Sequence, residues 1–221
     1  MLDLDPEAPI SFSDQGLPFG AHGSSNWVWL ARIDRFERAV DIGGNDAHAT
    51  GLEGHFASVV RLPRAAASGA IPVADAAADC VALRVMLDDL APGDSGDGPA
   101  AALSECRRVL RDGGCVSFGF ENGRWLSRAP RRRAAEATAA GLTVSRVRAL
   151  TAAAGFSSVD LYYADPAFDA PTALIEPTGE AAHAFEAEKP MRSRLGVARP
   201  FLARAGLHGI LYPAYLGIAY R

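Results

Sequence analysis

The chain has 221 residues, 49% of them hydrophobic, and its 22 basic and 26 acidic side chains leave a net charge of −4 and a pI near 5.7. That length and apolar content suit one packed α/β domain and leave no room for a second catalytic domain. The acidic balance argues against nucleic acid as a partner, and no apolar run approaches the roughly 20 residues that cross a bilayer, so no membrane span is expected.

The start, Met1-Leu2-Asp3-Leu4-Asp5, is acidic and unlike a secretory leader, which points to a cytoplasmic protein. Residues 1–26 carry Pro6, Pro9, Gly16, Pro18, Gly20 and Gly23 and read as an arm or lid. Trp27, Val28, Leu30, Ala31 and Ile33 then suggest a short amphipathic helix, so residues 1–35 form an N-terminal arm and 36–221 the main domain. Strands are expected at Ala39–Ile42 and Ala57–Leu62. Between them, Val40-Asp41-Ile42-Gly43-Gly44-Asn45-Asp46-Ala47 has the strand, glycine turn and helix order that brings backbone N–H groups to a polar ligand. Only Pro63–Ala70 separates Leu62 from the strand-like approach at Ile71, too short for a helix and a further strand, so about one βα unit is missing. Val81–Val85 continues the next strand and 94–99 is a solvent loop. Leu103, Cys106, Val109 and Leu110 recur at helical spacing, Gly113-Gly114 ends that helix, and Cys115–Phe120 alternates as a strand. A helix at Thr143–Ala154 precedes a strand at Ser158–Tyr163; the tail offers a helix around Val197–Ala205 and a terminal strand, Tyr215–Tyr220, suited to an antiparallel edge pair. Cys80, Cys106 and Cys115 lack paired C-x-x-C spacing and read as buried small hydrophobes, so no metal site is expected.

Three stretches in order resemble the class I S-adenosylmethionine (SAM) methyltransferase superfamily, in its type 11-like form. They are the glycine turn, the segment Ile71-Pro72-Val73-Ala74-Asp75 running to Asp79-Cys80-Val81, and the Glu105, Arg108-Val109-Leu110, Asp112, Gly113-Gly114 helix and turn. The resemblance spans about residues 36–163 and implies a Rossmann-like doubly wound sheet, trimmed by about one βα unit, with antiparallel strands at its C-terminal edge. It also implies SAM as cofactor, held by Asp41, Gly43, Gly44 and Asn45, with Asp75 beside the adenine.

The cofactor loop is altered where SAM would touch it. Family members carry D/E-x-G-x-G-x-G; here Asp41 and Gly43 match, but Asn45 and Ala47 replace the second and third glycines. Asn tolerates positive φ, yet its side chain would project into the space the cofactor uses. About 20 residues on, where a ribose-binding acid belongs, the sequence reads Val60-Arg61-Leu62-Pro63-Arg64, without a carboxylate.

Candidates for a catalytic base are Asp46 and His48 on the first helical turn, Asp88 just after a strand, and Glu121 at a strand end. Asp88 and Asp89 point to opposite faces, so at most one enters a cleft. Glu121-Asn122 resembles an "E-N" pair in a branch of the family found in small-molecule biosynthesis. His22 in the arm and Asn122 are candidate substrate contacts, as are Arg131, Arg132 and Arg133, which suit an anionic or carrier-protein-linked substrate. The first expectation is a methyltransferase-fold enzyme of specialised metabolism, such as antibiotic biosynthesis, repurposed for ring closure or elimination by intramolecular displacement. A SAM-dependent O- or N-methyltransferase is the alternative, and a non-catalytic subunit that stabilises a partner in a homo- or heterodimer is the third.

Overall fold

The computed structural model describes residues 23–90, 98–123, 142–169, 171–188 and 194–221. His22 and Arg131 to Arg133 lie outside the described residues. In chain order the elements are β1 (Arg38–Ile42), α1 (Asp46–Glu53), β2 (Ser58–Leu62), β3 (Ala78–Met86), α2 (Gly98–Val109), β4 (Leu110–Glu121), α3 (Val144–Ala153), β5 (Ser158–Asp165), β6 (Ala173–Ile175), α4 (Gly179–Glu188), α5 (Arg194–Leu202) and β7 (Ala214–Tyr220). A 3₁₀ helix, Gly23–Leu30, precedes β1 where the amphipathic helix was expected.

Among the described residues seven strands form one sheet in the order β2-β1-β3-β4-β7-β5-β6. The first four are parallel, with Val40 opposite both Val60 and Val81. Only a 3₁₀ turn, Arg64–Ser68, lies between β2 and β3, so β2 is the sheet's edge and the trimmed unit expected from the short Leu62-to-Ile71 interval is absent from the described residues there. At the other end the strands are antiparallel. The expected terminal strand forms, but β7 is sandwiched between β4 and β5, and the short β6, which the sequence reading missed, takes the edge. The pair Gly113-Gly114 falls inside β4: the helix ends at Val109, and Gly113, at φ +78°, sits in the bulge that lets Leu110 pair with Ala78 and Cys115 with Cys80.

The alternation of side chains along these strands divides the core into two layers and aims the site. Val40, Ile42, Val81, Leu83, Val116 and Phe118 face a layer with Leu103, Cys106 and Val109 of α2 and Val147 and Leu150 of α3. Ala39, Cys80, Ala82, Cys115, Leu216 and Ile218 face the other layer, under Trp27, Val28, Leu52 and Phe56. The three cysteines are free and buried, and burial pushes the Cys106 thiol up to about 12. Among the described residues no helix is long and apolar enough to cross a membrane.

Candidate functional site

Continue the second face to the carboxyl ends of the parallel strands and its small apolar residues give way to Asp41 on β1, Arg84 and Met86 on β3, and Gly119 and Glu121 on β4. Period two places all of them on the same face as Ala39, Cys80, Ala82 and Cys115. A cavity of about 460 Å³ opens there, and Gly43, Asn45, His48, Arg84, Glu121 and Phe168 are among its lining residues. It lies outside the carboxyl ends of the parallel strands, where open α/β sheets bind ligands.

On the glycine-turn side, Gly43 adopts φ +77°, a left-handed conformation that lets β1 turn sharply into α1. Asn45 does not take positive φ: at φ −88° and ψ 175° it is the N-cap of α1, and its Oδ1 accepts the His48 N–H at 2.9 Å. The side chain that was expected to project into the cofactor's space thus caps the helix, and Asn45 also lines the cavity. Asp41 is buried directly under the turn, and a Cβ added at Gly44 would lie 2.2 Å from its carboxylate. Its Oδ1 pairs with His48 Nδ1 at 3.1 Å, with both side chains 1% exposed. Neither Asp41 Oδ2 nor His48 Nε2 has a hydrogen-bond partner among the described residues. Burial lowers the His48 pKa; the bond to Asp41 works the other way but does not prevail. The imidazole is therefore neutral near pH 7. With Nδ1–H donated to Asp41, Nε2 presents a lone pair.

The opposite wall is built around Arg84, which the sequence reading passed over. Its Nη2 donates to the carbonyl oxygens of Asp169 at 2.7 Å and Phe168 at 3.3 Å, and its guanidinium carbon lies 4.4 Å from the centre of the Phe168 ring. Nη1 is buried and has no hydrogen-bond partner among the described residues. Burial lowers this arginine to about 10, against the pull of the Asp41 and Asp169 carboxylates acting at a distance. Phe168 is itself seated because residue 119 is glycine: a Cβ there would meet its ring at 2.5 Å. An arginine within the otherwise apolar Val81–Met86 run was the signal that could have found this residue.

The other candidates separate clearly. Glu121 lines the cavity, its N–H held by Asp88 Oδ2 at 2.7 Å. Asn122 also lines it, but its amide donates to the carbonyls of Gly209 and Tyr212 and ties down the chain before β7. Asp46 points to solvent and pairs with Arg61 at 2.6 Å, away from the cavity wall. Asp88 spends both oxygens on the backbone N–H groups of Glu121 and Leu142, and Asp89 pairs with Arg64, so both serve as braces. Asp75, expected beside an adenine, instead holds Arg108 at 2.5 Å, and Arg108 also donates to Ile71, Val73 and Glu105. That cluster pins the segment leading into β3, and Asp75 does not line the cavity. Among the described residues no group of three His, Cys, Asp or Glu side chains is arranged to hold a metal ion.

A family model described as a methyltransferase domain matches residues 19–118, the stretch that runs through β1 into β4. Among curated proteins none matches. A SAM-dependent methyltransferase from Archaeoglobus fulgidus is similar over 91% of this chain and 95% of its own, at 16% identity and a TM-score of 0.51. The Haemonchus contortus phosphoethanolamine N-methyltransferase 2, solved with phosphomonomethylethanolamine and S-adenosylhomocysteine, is similar over 89% of this chain at 13% identity and a TM-score of 0.53. This chain spans about half of that protein, 52% of its length. The same enzyme with SAM gives a TM-score of 0.52. At these identities the likeness is one of fold, and it agrees with the family match and with the strand order. The chain thus carries a match to a methyltransferase domain over residues 19–118 and has the fold of the SAM-dependent methyltransferases it is compared with.

Proposed function

We propose that this methyltransferase-fold protein is an enzyme acting on a small molecule by general-base chemistry at His48, and that it has left methyl transfer for ring closure or elimination. One observation carries the reading. Asp41, near the end of β1 at the position matching the cofactor loop, is paired with His48, a residue of the cavity lining whose buried Nε2 has no hydrogen-bond partner among the described residues. A carboxylate that fixes one imidazole nitrogen leaves the other as an oriented base. In the proposed step His48 Nε2 takes a proton from a substrate hydroxyl, amine or carbon acid. The electron pair released forms the new bond, σ for ring closure or π for elimination, and a leaving group in the same molecule departs with its own pair. The reaction is redox-neutral and needs no co-reactant, and holding both ends in one cavity supplies much of the rate.

The residues present do not fit SAM. No carboxylate stands at the end of β2, where Leu62 is followed by Pro63 and Arg64, and Arg64 is paired with Asp89. Asp41 is covered by the Gly44 backbone. Arg84 adds a buried cation to a cavity that would have to accept a sulfonium. The competing reading, a SAM-dependent O- or N-methyltransferase, is supported by the match over residues 19–118 and by the positive φ retained at Gly43.

Nitrogen NMR of the imidazoles tests the base without knowledge of the substrate. At pH 7 His48 should be neutral with the proton on Nδ1 and a bare Nε2. An imidazolium at that pH, or the Nε2–H tautomer, would rule His48 out as the base.

A further inference from the structure

Arg84 is half-buried in the cavity wall, and its buried Nη1 has no hydrogen-bond partner among the described residues. The acceptors it has are the main-chain carbonyls of Phe168 and Asp169, which bring partial charge and no counter-ion. A buried charge is tolerated when paired, and this pairing is left unfinished on the side of Nη1. The neighbouring cation is different: Arg64 is exposed and already held by Asp89 at 2.8 Å. The Asp41 and Asp169 carboxylates act on Arg84 only from a distance, and Glu121 is a further acid of the cavity lining. The ring of Phe168, 4.4 Å from the guanidinium carbon, restricts its rotation.

We infer that this cavity binds the oxyanion end, a carboxylate or phosphate, of a small-molecule ligand on the Arg84 guanidinium. As a statement of substrate class the inference rests on the small-molecule reading above, with Arg84 anchoring the molecule that His48 deprotonates.

Thermal unfolding of the full chain with inorganic phosphate at constant ionic strength tests it. A site of millimolar affinity should raise the Tm by about 3 °C at ~10 mM phosphate. The shift should survive in Arg61→Met, which removes an exposed arginine outside the cavity, and fall to roughly a third or less in Arg84→Met. Arg84→Lys keeps the charge without the fork and should give an intermediate shift, which covers the case of a Met variant that does not fold. Equal shifts in the wild type and Arg84→Met, or none in the wild type, would overturn the inference. S-adenosylhomocysteine carries a carboxylate of its own, so it is titrated as a competitor. Displacement of phosphate by micromolar S-adenosylhomocysteine would assign the anion to a cofactor and overturn the substrate reading. The two proposals also fail separately. Phosphate binding with the wrong His48 tautomer leaves the anion site and removes the base, whereas the right tautomer without phosphate binding does the reverse.

Discussion

The two walls of the cavity were made by different means. On the glycine-turn wall a positive φ of +77° at Gly43 turns the backbone, and the polar groups beneath it are paired with one another: Asn45 caps α1 and Asp41 is held by His48 close to Gly44. On the arginine wall no family motif is present, yet a cation is held there by carbonyls with a donor to spare. The comparison teaches that the partners a polar group lacks say more about a ligand than the sequence of the loop beside it.

The largest expected effect probes the first wall. Gly44→Ala would drive a methyl into the buried Asp41 carboxylate and should cost about 3 kcal/mol in denaturant unfolding, the upper part of the range for overpacking. The same change on the other wall, Gly119→Ala, meets a side chain that can swing, the Phe168 ring, and should cost about 1–2 kcal/mol while loosening the carbonyls that hold Arg84. Equal costs would mean that the first wall is no more closed than the second. Next in size is Arg84→Met, which should stabilise the protein by about 1–3 kcal/mol, because an incompletely paired buried charge is replaced by an apolar chain of similar length. A loss of stability of that size would show that Arg84 is a structural residue and not a ligand anchor.

The smallest effect is one of pH. Folding lowers the His48 pKa, so below about pH 6.5, the unfolded value, the unfolded chain binds the proton more readily than the native one. The stability His48 confers as a neutral base is therefore complete above that pH and declines as pH falls toward the depressed folded value. Unfolding free energies from pH 7.5 down to 5 should fall less steeply in His48→Gln than in the wild type. His55 and His208, both also lowered by burial, contribute to each curve and cancel in the difference. Parallel curves would show that His48 titrates as an ordinary surface imidazole.

Much of the parallel half was legible in the sequence because its signals are local: an apolar run, a glycine turn and a short gap before β3. The antiparallel end was less so. β7 joins β4 with a register fixed by residues a hundred positions apart, such as Cys115 and Tyr220, and the three-residue β6 is too short for periodicity to reveal. The site divided in the same way. His48, expected on the first turn of a helix, and Glu121, expected at a strand end, both line the cavity. Asp75 and Asp88 misled because a carboxylate near a cleft in sequence can be taken by a guanidinium or a backbone N–H that only the fold brings near. Arg84 was overlooked because Val81–Val85 was read only as the continuation of a strand, although one arginine in such a strand needs a reason.

Calorimetric titration of the full chain with SAM reaches the central claim, that this cavity has been closed to the superfamily's cofactor and opened to another ligand. A missing ribose carboxylate alone removes about 1–3 kcal/mol, and with Asp41 sealed and Arg84 opposing a sulfonium the dissociation constant should exceed ~100 µM. A dissociation constant near ~1 µM would contradict the account and make methyl transfer the first reading again.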